Sequence, residues 1–327
     1  MQIMCAFDIS NSFENFSPDV FIDAVEEFLS KKMTGFSNPF NSYINRVYEL
    51  QTLSGERVVA KFYRPGRWNK NAIQDEHNFV LECSDEEIPV IPPIKNIKGN
   101  SIGEVNGIFF SVFSKKFGRY FEPCCDEDWT RIGAILGRLH NVGAKKKASN
   151  RVILHPSKST DQDLKYLLKN EFIPNCFLKE FSILSEEIVH KTSQHFIKNE
   201  FIRVHGDCHM GNILNRESEG LMLIDFDDMV MGPPVQDIWL ILPGNSASSK
   251  NEIKMLLKGY RQFREFNNVE LKLIESLRIM RMVYFLAWCA KQKNDYKFKH
   301  NFPEWGTDSY WRKEINELHT QLHEIYT

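Results

Sequence analysis

One stretch, Val204-His205-Gly206-Asp207-Cys208-His209-Met210-Gly211-Asn212-Ile213-Leu214, constrains this chain more than any other. It sets a carboxylate, Asp207, five positions before an amide, Asn212. Thirteen residues beyond Asn212 a short apolar run, Leu223-Ile224, ends in Asp225-Phe226-Asp227. Residues 212–215 and 221–224 read as two short strands around a polar turn, 216–220, so a strand hairpin lies between the amide and the second carboxylate. Asp207 or Asp225 alone would pass for a cap or a strand-end turn. At these joint spacings they form, with Asn212, a set of hard oxygen donors.

The rest of the chain divides by periodicity. Residues 18–29 carry Val20, Phe21, Ala24, Val25, Phe28 and Leu29 at helical spacing, behind Ser17 as a cap and Pro18 at the first helical position. Residues 43–53 and 57–63 are β-type and flank Ser54-Gly55-Glu56, the composition of an antiparallel hairpin turn, with Lys61 on the second strand. Helical period returns over 68–83, the prolines of 88–94 force an extended connector, and 107–113 is a short apolar strand. Beyond it, helical period dominates over 128–142, 161–168, 177–197, 250–263 and 271–292. At roughly 150 residues per domain, the 327 residues read as α+β and bilobal. The N-lobe, residues 1–114, holds an antiparallel sheet and a central helix; a hinge falls at 113–117; the C-lobe, 115–327, is mainly helical.

Composition narrows the function classes. Lys plus Arg number 41 and Asp plus Glu 43, a net charge of −2, so no overall excess points to nucleic acid or an anionic membrane surface. The longest apolar run, Met282 to Ala290, falls well short of the ~20 residues a membrane span needs. The first twenty residues hold Asp8, Glu14 and Asp19 and no Lys or Arg, unlike a secretory signal, so the expected location is the cytoplasm. Seven cysteines without a C-x-x-C pattern argue for reduced structural thiols rather than a disulfide framework or a zinc ribbon. His205 and His209 lack a third ligand at zinc-like spacing, and His205 reads as a loop brace.

The 204–214 segment is H-G-D-x-x-x-x-N. Protein kinases carry H-R-D-x-x-x-x-N, in which Asp takes the proton of the attacking hydroxyl and Asn binds Mg2+; Asp225 stands where their D-F-G motif places a metal-binding carboxylate. ATP brings several negative charges, and Mg2+ that bridges its phosphates takes carboxylate and amide oxygens.

Five segments sharpen the pattern: Asn41-Ser42-Tyr43-Ile44-Asn45-Arg46-Val47-Tyr48, Val59-Ala60-Lys61-Phe62-Tyr63-Arg64-Pro65-Gly66-Arg67-Trp68, His205-Gly206-Asp207-Cys208-His209, Gly232-Pro233-Pro234-Val235-Gln236-Asp237-Ile238-Trp239 and Arg278-Ile279-Met280-Arg281-Met282-Val283-Tyr284. With them the chain resembles the bacterial stress response kinase A family, within the kinase-like superfamily of aminoglycoside and choline phosphotransferases. The resemblance extends over residues 17–315. It implies an ATP- and Mg2+-dependent Ser/Thr protein kinase of the cytoplasm, acting as a monomer on a protein hydroxyl, with ATP bound between the lobes.

Carried over by position, the resemblance makes Asp207 the catalytic carboxylate, Asn212 and Asp225 the metal ligands, Asp225 also a catalytic residue, and Ser42 the phosphate-loop serine. Lys61 becomes the strand lysine that pairs with the α- and β-phosphates; of the two acids on the following helix, Glu76 rather than Asp75 is expected to hold it, because Glu76 neighbours the apolar stripe. Two features depart from ordinary kinases. The loop 40–44 contains no glycine, so Asn41 and Ser42 must supply donors to phosphate, and Asp227 replaces the glycine of D-F-G, which makes it a further candidate to face the metal. Asp237 is expected to brace the catalytic loop. Arg278 and Arg281, three apart on an apolar helix, need partners: an acidic loop or an acceptor group. A small-molecule phosphotransferase would share every one of these residues, and an inactive ATP-binding scaffold would have no need of all of them.

Overall fold

The computed structural model describes residue 13 and residues 16–196, 200–217, 219–295 and 297–325. The polar start with Cys5 lies outside the described residues, as does Ile197. In chain order the first elements are α1 (Pro18–Leu29), β1 (Met33–Pro39), β2 (Arg46–Thr52), β3 (Arg57–Phe62), α2 (Lys70–Asp85), β4 (Gly103–Val105), β5 (Ile108–Ser114) and β6 (Arg119–Tyr120). Then come α3 (Asp126–Lys145), α4 (Asp161–Lys169), α5 (Asn175–His195), β7 (Ile202–Val204), β8 (Ile213–Arg216), β9 (Gly220–Leu223) and β10 (Val230–Gly232). The last are α6 (Val235–Trp239), α7 (Lys250–Tyr260), α8 (Ile274–Gln292), α9 (Phe298–Asn301) and α10 (Asp308–Glu324). Antiparallel sheet and helices make the fold α+β.

Contacts sort the described residues into two compact units. The first runs to Glu122 and takes in Ala148–Arg151 and Met210–Asp228. Its main sheet is antiparallel with strand order β1-β2-β3-β5-β4. The β2–β3 hairpin turns at Ser54-Gly55-Glu56, where Gly55 takes φ 88°, a value that glycine adopts without penalty. The register sets Lys61 opposite Val47 on one side and Ser111 on the other. Helix α1 starts behind Ser17 with Pro18 in its first turn and packs Phe21, Val25 and Phe28 onto Leu50, Val58, Ala60, Phe62, Phe110 and Val112. Each large apolar side chain so buried stabilises by roughly 1.5–3 kcal/mol. Helix α2 is capped by the Asn69 side chain, which accepts from the Ala72 N–H at 2.9 Å, and its buried face includes Ile73, Glu76, Phe79 and Val80. A second sheet, β6-β8-β9, contains the hairpin expected at 212–224, and the 88–94 connector lies extended, with Val90 bridging Leu223.

The second unit comprises Pro123–Lys147, Val152–His209 and the described residues from Met229 onward. Its core joins Leu164 and Leu167 of α4, Phe181, Leu184 and Ile188 of α5, Ile279, Val283 and Leu286 of α8, and Trp311, Ile315 and Leu318 of α10. Helices α3 and α7 approach so closely that a Cβ on Gly133 would overlap the Leu256 carbonyl and one on Gly259 the Thr130 carbonyl. Strands β7 and β10 pair antiparallel, Val204 opposite Val230, and β7 delivers His205 at its end. The six cysteines at 83, 124, 125, 176, 208 and 289 are free thiols. None of the described helices is long and apolar enough to cross a membrane.

Candidate active site

Lys61 is the penultimate residue of β3, a short apolar strand, and its stem is therefore buried while its ammonium group reaches carboxylates. Nζ lies 2.7 Å from Asp225 Oδ1 and 3.5 Å from Asp227 Oδ1. Burial works against the charged form, yet Asp225, then Asp227, then Glu76 outweigh it and hold the lysine pKa well above its ordinary value. Asp227 is itself buried. Its Oδ2 accepts from Asn45 Nδ2 at 3.1 Å and from Arg67 Nη1, and its backbone carbonyl accepts from Arg151. Burial would raise the Asp227 pKa; Arg67, Lys61 and Arg151 reverse that and hold it well below the usual carboxylate range. Arg67 also reaches Asp228 Oδ1 at 2.6 Å.

Glu76 points from α2 toward the same cluster, but its ion pair is with Arg151, at 3.8 Å, and among the described residues Lys61 has none with it. Burial pushes the Glu76 carboxyl up to about 7, with Asp227 adding to the rise and Lys61 and Arg151 opposing it. Arg151 stacks over Trp68, 4.0 Å from the ring centroid.

Asn212 and Asp225 occupy the open end of the β8–β9 hairpin. The Ile224 N–H donates to the Asn212 carbonyl at 3.0 Å, which ties the backbone beside one residue to that beside the other. Asn212 is buried, whereas the Asp225 side chain is 53% exposed. Asp225 takes φ 60°, a left-handed conformation that costs a non-glycine residue energy and that Asp tolerates better than most. Carboxylate and amide oxygens without thiolate or imidazole fit Mg2+ rather than zinc. Ser42 lies on the β1–β2 loop, half-buried, with its N–H donated to the Phe40 carbonyl at 2.9 Å.

The second unit holds the loop that follows β7. Asp237, fully buried on α6, accepts from the His205 N–H at 2.7 Å and the Gly206 N–H at 2.8 Å. The same carboxylate meets His140 Nε2 at 3.0 Å, and the other nitrogen of that ring meets the Tyr260 hydroxyl, also at 3.0 Å. Gln236 Nε2 donates to the Gly206 carbonyl at 2.9 Å. Asp237 thus braces the loop, as its place at a helix start suggested. Asp207 Oδ1 accepts from Arg281 Nη2 at 2.7 Å, and His209 Nε2 stands 3.6 Å from Oδ2. Of the two arginines on α8, Arg281 pairs with this acidic loop, while Arg278 bonds the Gly244 carbonyl and lies 3.6 Å from Glu275.

The profile of the phosphotransferase enzyme family matches residues 38–271. Stress response kinase A of Escherichia coli (strain K12) is 35% identical over 305 residues, 93% of this chain and 92% of that one. The chain belongs to the stress response kinase A family of phosphotransferase enzymes. A second relative, the serine/threonine protein kinase RdoA of Salmonella typhimurium (strain LT2), is 33% identical over 97% of both chains. Among solved structures, the amicoumacin kinase hAmiN in complex with AMP-PNP, Ca2+ and Ami superposes with a TM-score of 0.74, covering 98% of this chain and 96% of that one at 18% identity.

In this kinase the structure therefore joins Lys61, Asp225 and Asp227 in one cluster and ties the Asn212 backbone to the strand that leads into Asp225. It sets Glu76 against Arg151. Three contributors went unrecognised in the sequence: Asn45, Arg67 and Arg151. The first two stand inside the segments that carry the family resemblance, which was the available signal. Arg151 is 75 residues from Glu76 and 76 from Asp227, with no local pattern to mark it.

Proposed function

We propose that this kinase transfers the γ-phosphoryl group of ATP to a Ser or Thr hydroxyl of a protein, in the cytoplasm and as part of a stress response. The observation that supports the chemistry is the 2.7 Å contact between Lys61 and Asp225, a cation suited to phosphate beside a carboxylate suited to a metal. The protein acceptor and the physiological setting rest on what the relatives are named.

Lys61 would give up its contact with Asp225 for the α- and β-phosphates, and Ser42 would donate to phosphate oxygens. Asn212 and Asp225 would hold Mg2+, which supplies charge neutralisation at the transferring group. Asp207, oriented by Arg281, would accept the proton of the attacking hydroxyl. A second reading, transfer to a small alcohol, is favoured by the likeness to an amicoumacin kinase and would use the same residues.

Incubation with γ-labelled ATP and Mg2+ tests both, with casein and myelin basic protein in one series and small amino alcohols in another. Label on protein Ser or Thr is expected, and Asp207→Ala should lower its rate by about 10²-fold or more. Label confined to the small acceptors would leave a phosphotransferase and remove the protein kinase. No transfer to either, or the same rate in a folded Asp207→Ala protein, would remove the catalytic assignment.

A further inference from the structure

In kinases of this general plan a glutamate on the N-lobe helix holds the phosphate-binding lysine. Here that pairing is replaced. Glu76 has Arg151 as its ion-pair partner at 3.8 Å, and the carboxylates within reach of Lys61 Nζ are Asp225 at 2.7 Å and Asp227 at 3.5 Å. The two differ in kind. Asp225 is half exposed, and the reading above gives it to the metal, which would draw its oxygens away from the lysine. Asp227 is buried, and its position is over-determined: Asn45 and Arg67 take Oδ2, Arg151 takes the backbone carbonyl, and Asn45 is fixed from its other side by the Arg64 N–H at 3.1 Å. Its remaining oxygen, Oδ1, is buried without a hydrogen-bond partner and is the one that stands 3.5 Å from Lys61. An unsatisfied buried carboxylate oxygen is costly, and a lysine ammonium group is the group nearby that can answer it.

We propose that Asp227, two residues past the metal-binding aspartate, is the carboxylate that positions Lys61 for the nucleotide phosphates, in place of Glu76 on α2. Asp227 is a positioning residue: it acts through the lysine and touches no substrate. This role rests on the reading of Lys61 as the phosphate-binding cation.

Because the role concerns phosphate, the measurement is the ratio of affinities for ADP and for adenosine, by titration calorimetry on the full chain. Asp227→Asn keeps the shape and removes the charge, and should cut ADP affinity by about tenfold while adenosine binds as before. Asp227→Glu, which keeps the charge and spoils the fit, should retain more of the ratio than the Asn variant. A role in packing alone predicts the opposite order, with both ligands affected together. Glu76→Gln should change the ratio far less than Asp227→Asn; the reverse order would restore the lysine to Glu76 and overturn the proposal.

Should circular dichroism show Asp227→Asn unfolded, Asn45→Ala leaves the Asp227 charge in place and removes the 3.1 Å donor that aims it, together with the acceptor for the Arg64 N–H. A lowered ratio there supports the proposal, and an unchanged one overturns it. Wild-type protein that binds neither ligand would mark failure of the nucleotide reading itself and take the positioning role with it. A wild type that discriminates ADP from adenosine, with an Asp227→Asn variant that does so equally, would remove the positioning role alone.

Discussion

Around Lys61 the first unit gathers three cations, the buried Lys61 and Arg151 and the half-buried Arg67, among the carboxylates of Glu76, Asp225, Asp227 and Asp228. The loop that carries Asp207 in the second unit is held by one buried carboxylate, Asp237, that collects backbone N–H groups. The first arrangement is made between side chains. Its members can trade partners while the backbone stays in place, which would suit the role proposed for Lys61, a lysine that gives up Asp225 to a nucleotide's phosphates while Asp227 stays beside it. Taking several ions out of water costs several kcal/mol each, so the cluster endures only while its charges remain matched. The second arrangement fixes the path of the main chain itself, and would suit the role proposed for Asp207, a carboxylate that presents one geometry to a reacting hydroxyl.

The largest effect should come from breaking the backbone brace. Asp237→Ala would leave the His205 and Gly206 N–H groups and the His140 ring unanswered in a buried site, at about 1–3 kcal/mol for each lost partner. A loss of stability of about 3 kcal/mol or more follows. Among the molecules that stay folded, turnover should fall by about tenfold to a hundredfold, because Asp207 hangs from this loop. Urea unfolding and single-turnover kinetics on the same preparation measure both. A variant that loses stability but turns over normally would show that the loop keeps its path without Asp237, and the contrast between the two regions would fail.

The charge cluster makes a different prediction, in pH. Burial raises the Glu76 carboxyl from an ordinary 4.5 to about 7, with the Asp227 and Asp225 carboxylates pushing the same way and Lys61 and Arg151 opposing. Between those values the folded protein keeps a proton that the unfolded chain has already released. The wild type should therefore lose stability as pH rises from about 4.5 to about 7 and level off above, by on the order of 3 kcal/mol from this group. Glu76→Gln keeps the shape without the titration, so its stability should gain on that of the wild type across that window. Parallel stability profiles for the two proteins would show that Arg151 holds Glu76 ionised throughout, and the cluster would then be as fixed as the loop.

How far these features could be read in advance follows from how local their causes are. Helix α1 has the expected bounds because Ser17-Pro18 and the Val20 to Leu29 stripe act within a dozen residues, and the β2–β3 hairpin follows from Ser54-Gly55-Glu56. Strand β1 escaped notice since only Met33 of its residues is buried, which leaves an edge strand without alternation. Strands β7 and β10, three residues each, are too short for any period. Helix α10 does carry a local signal, with Thr307 as cap and Trp311, Ile315, Leu318 and Leu322 on one face. Among the candidate residues, Asp207, Asn212 and Asp225 stood out through spacing and Lys61 through its place on the strand after the hairpin. The partner of Lys61 did not, because whether Glu76 or Asp227 comes closer depends on Arg151, and no local pattern announces a contact made across so much of the chain.

Ser42 lies under neither kind of restraint, and it gives the smallest expected effect. The loop between β1 and β2 has no glycine; Ser42 is half-buried, and the backbone bond from its N–H to the Phe40 carbonyl spans only two residues. If phosphate is held here as the family resemblance implies, the Ser42 hydroxyl donates to it, and a hydrogen bond to a charged group contributes roughly 1.5–3 kcal/mol. Taking the low end, Ser42→Ala should lower kcat/KM for ATP by about tenfold, with stability unchanged because the hydroxyl is not answering a buried partner. A turn serine that merely shapes the hairpin predicts the reverse, a depressed melting temperature and unaltered kinetics per folded molecule. Measuring both on one variant separates the two roles: a fall in kcat/KM alone places the loop over the phosphates as a third, more loosely held element of the site, whereas a fall in melting temperature alone returns Ser42 to the hairpin.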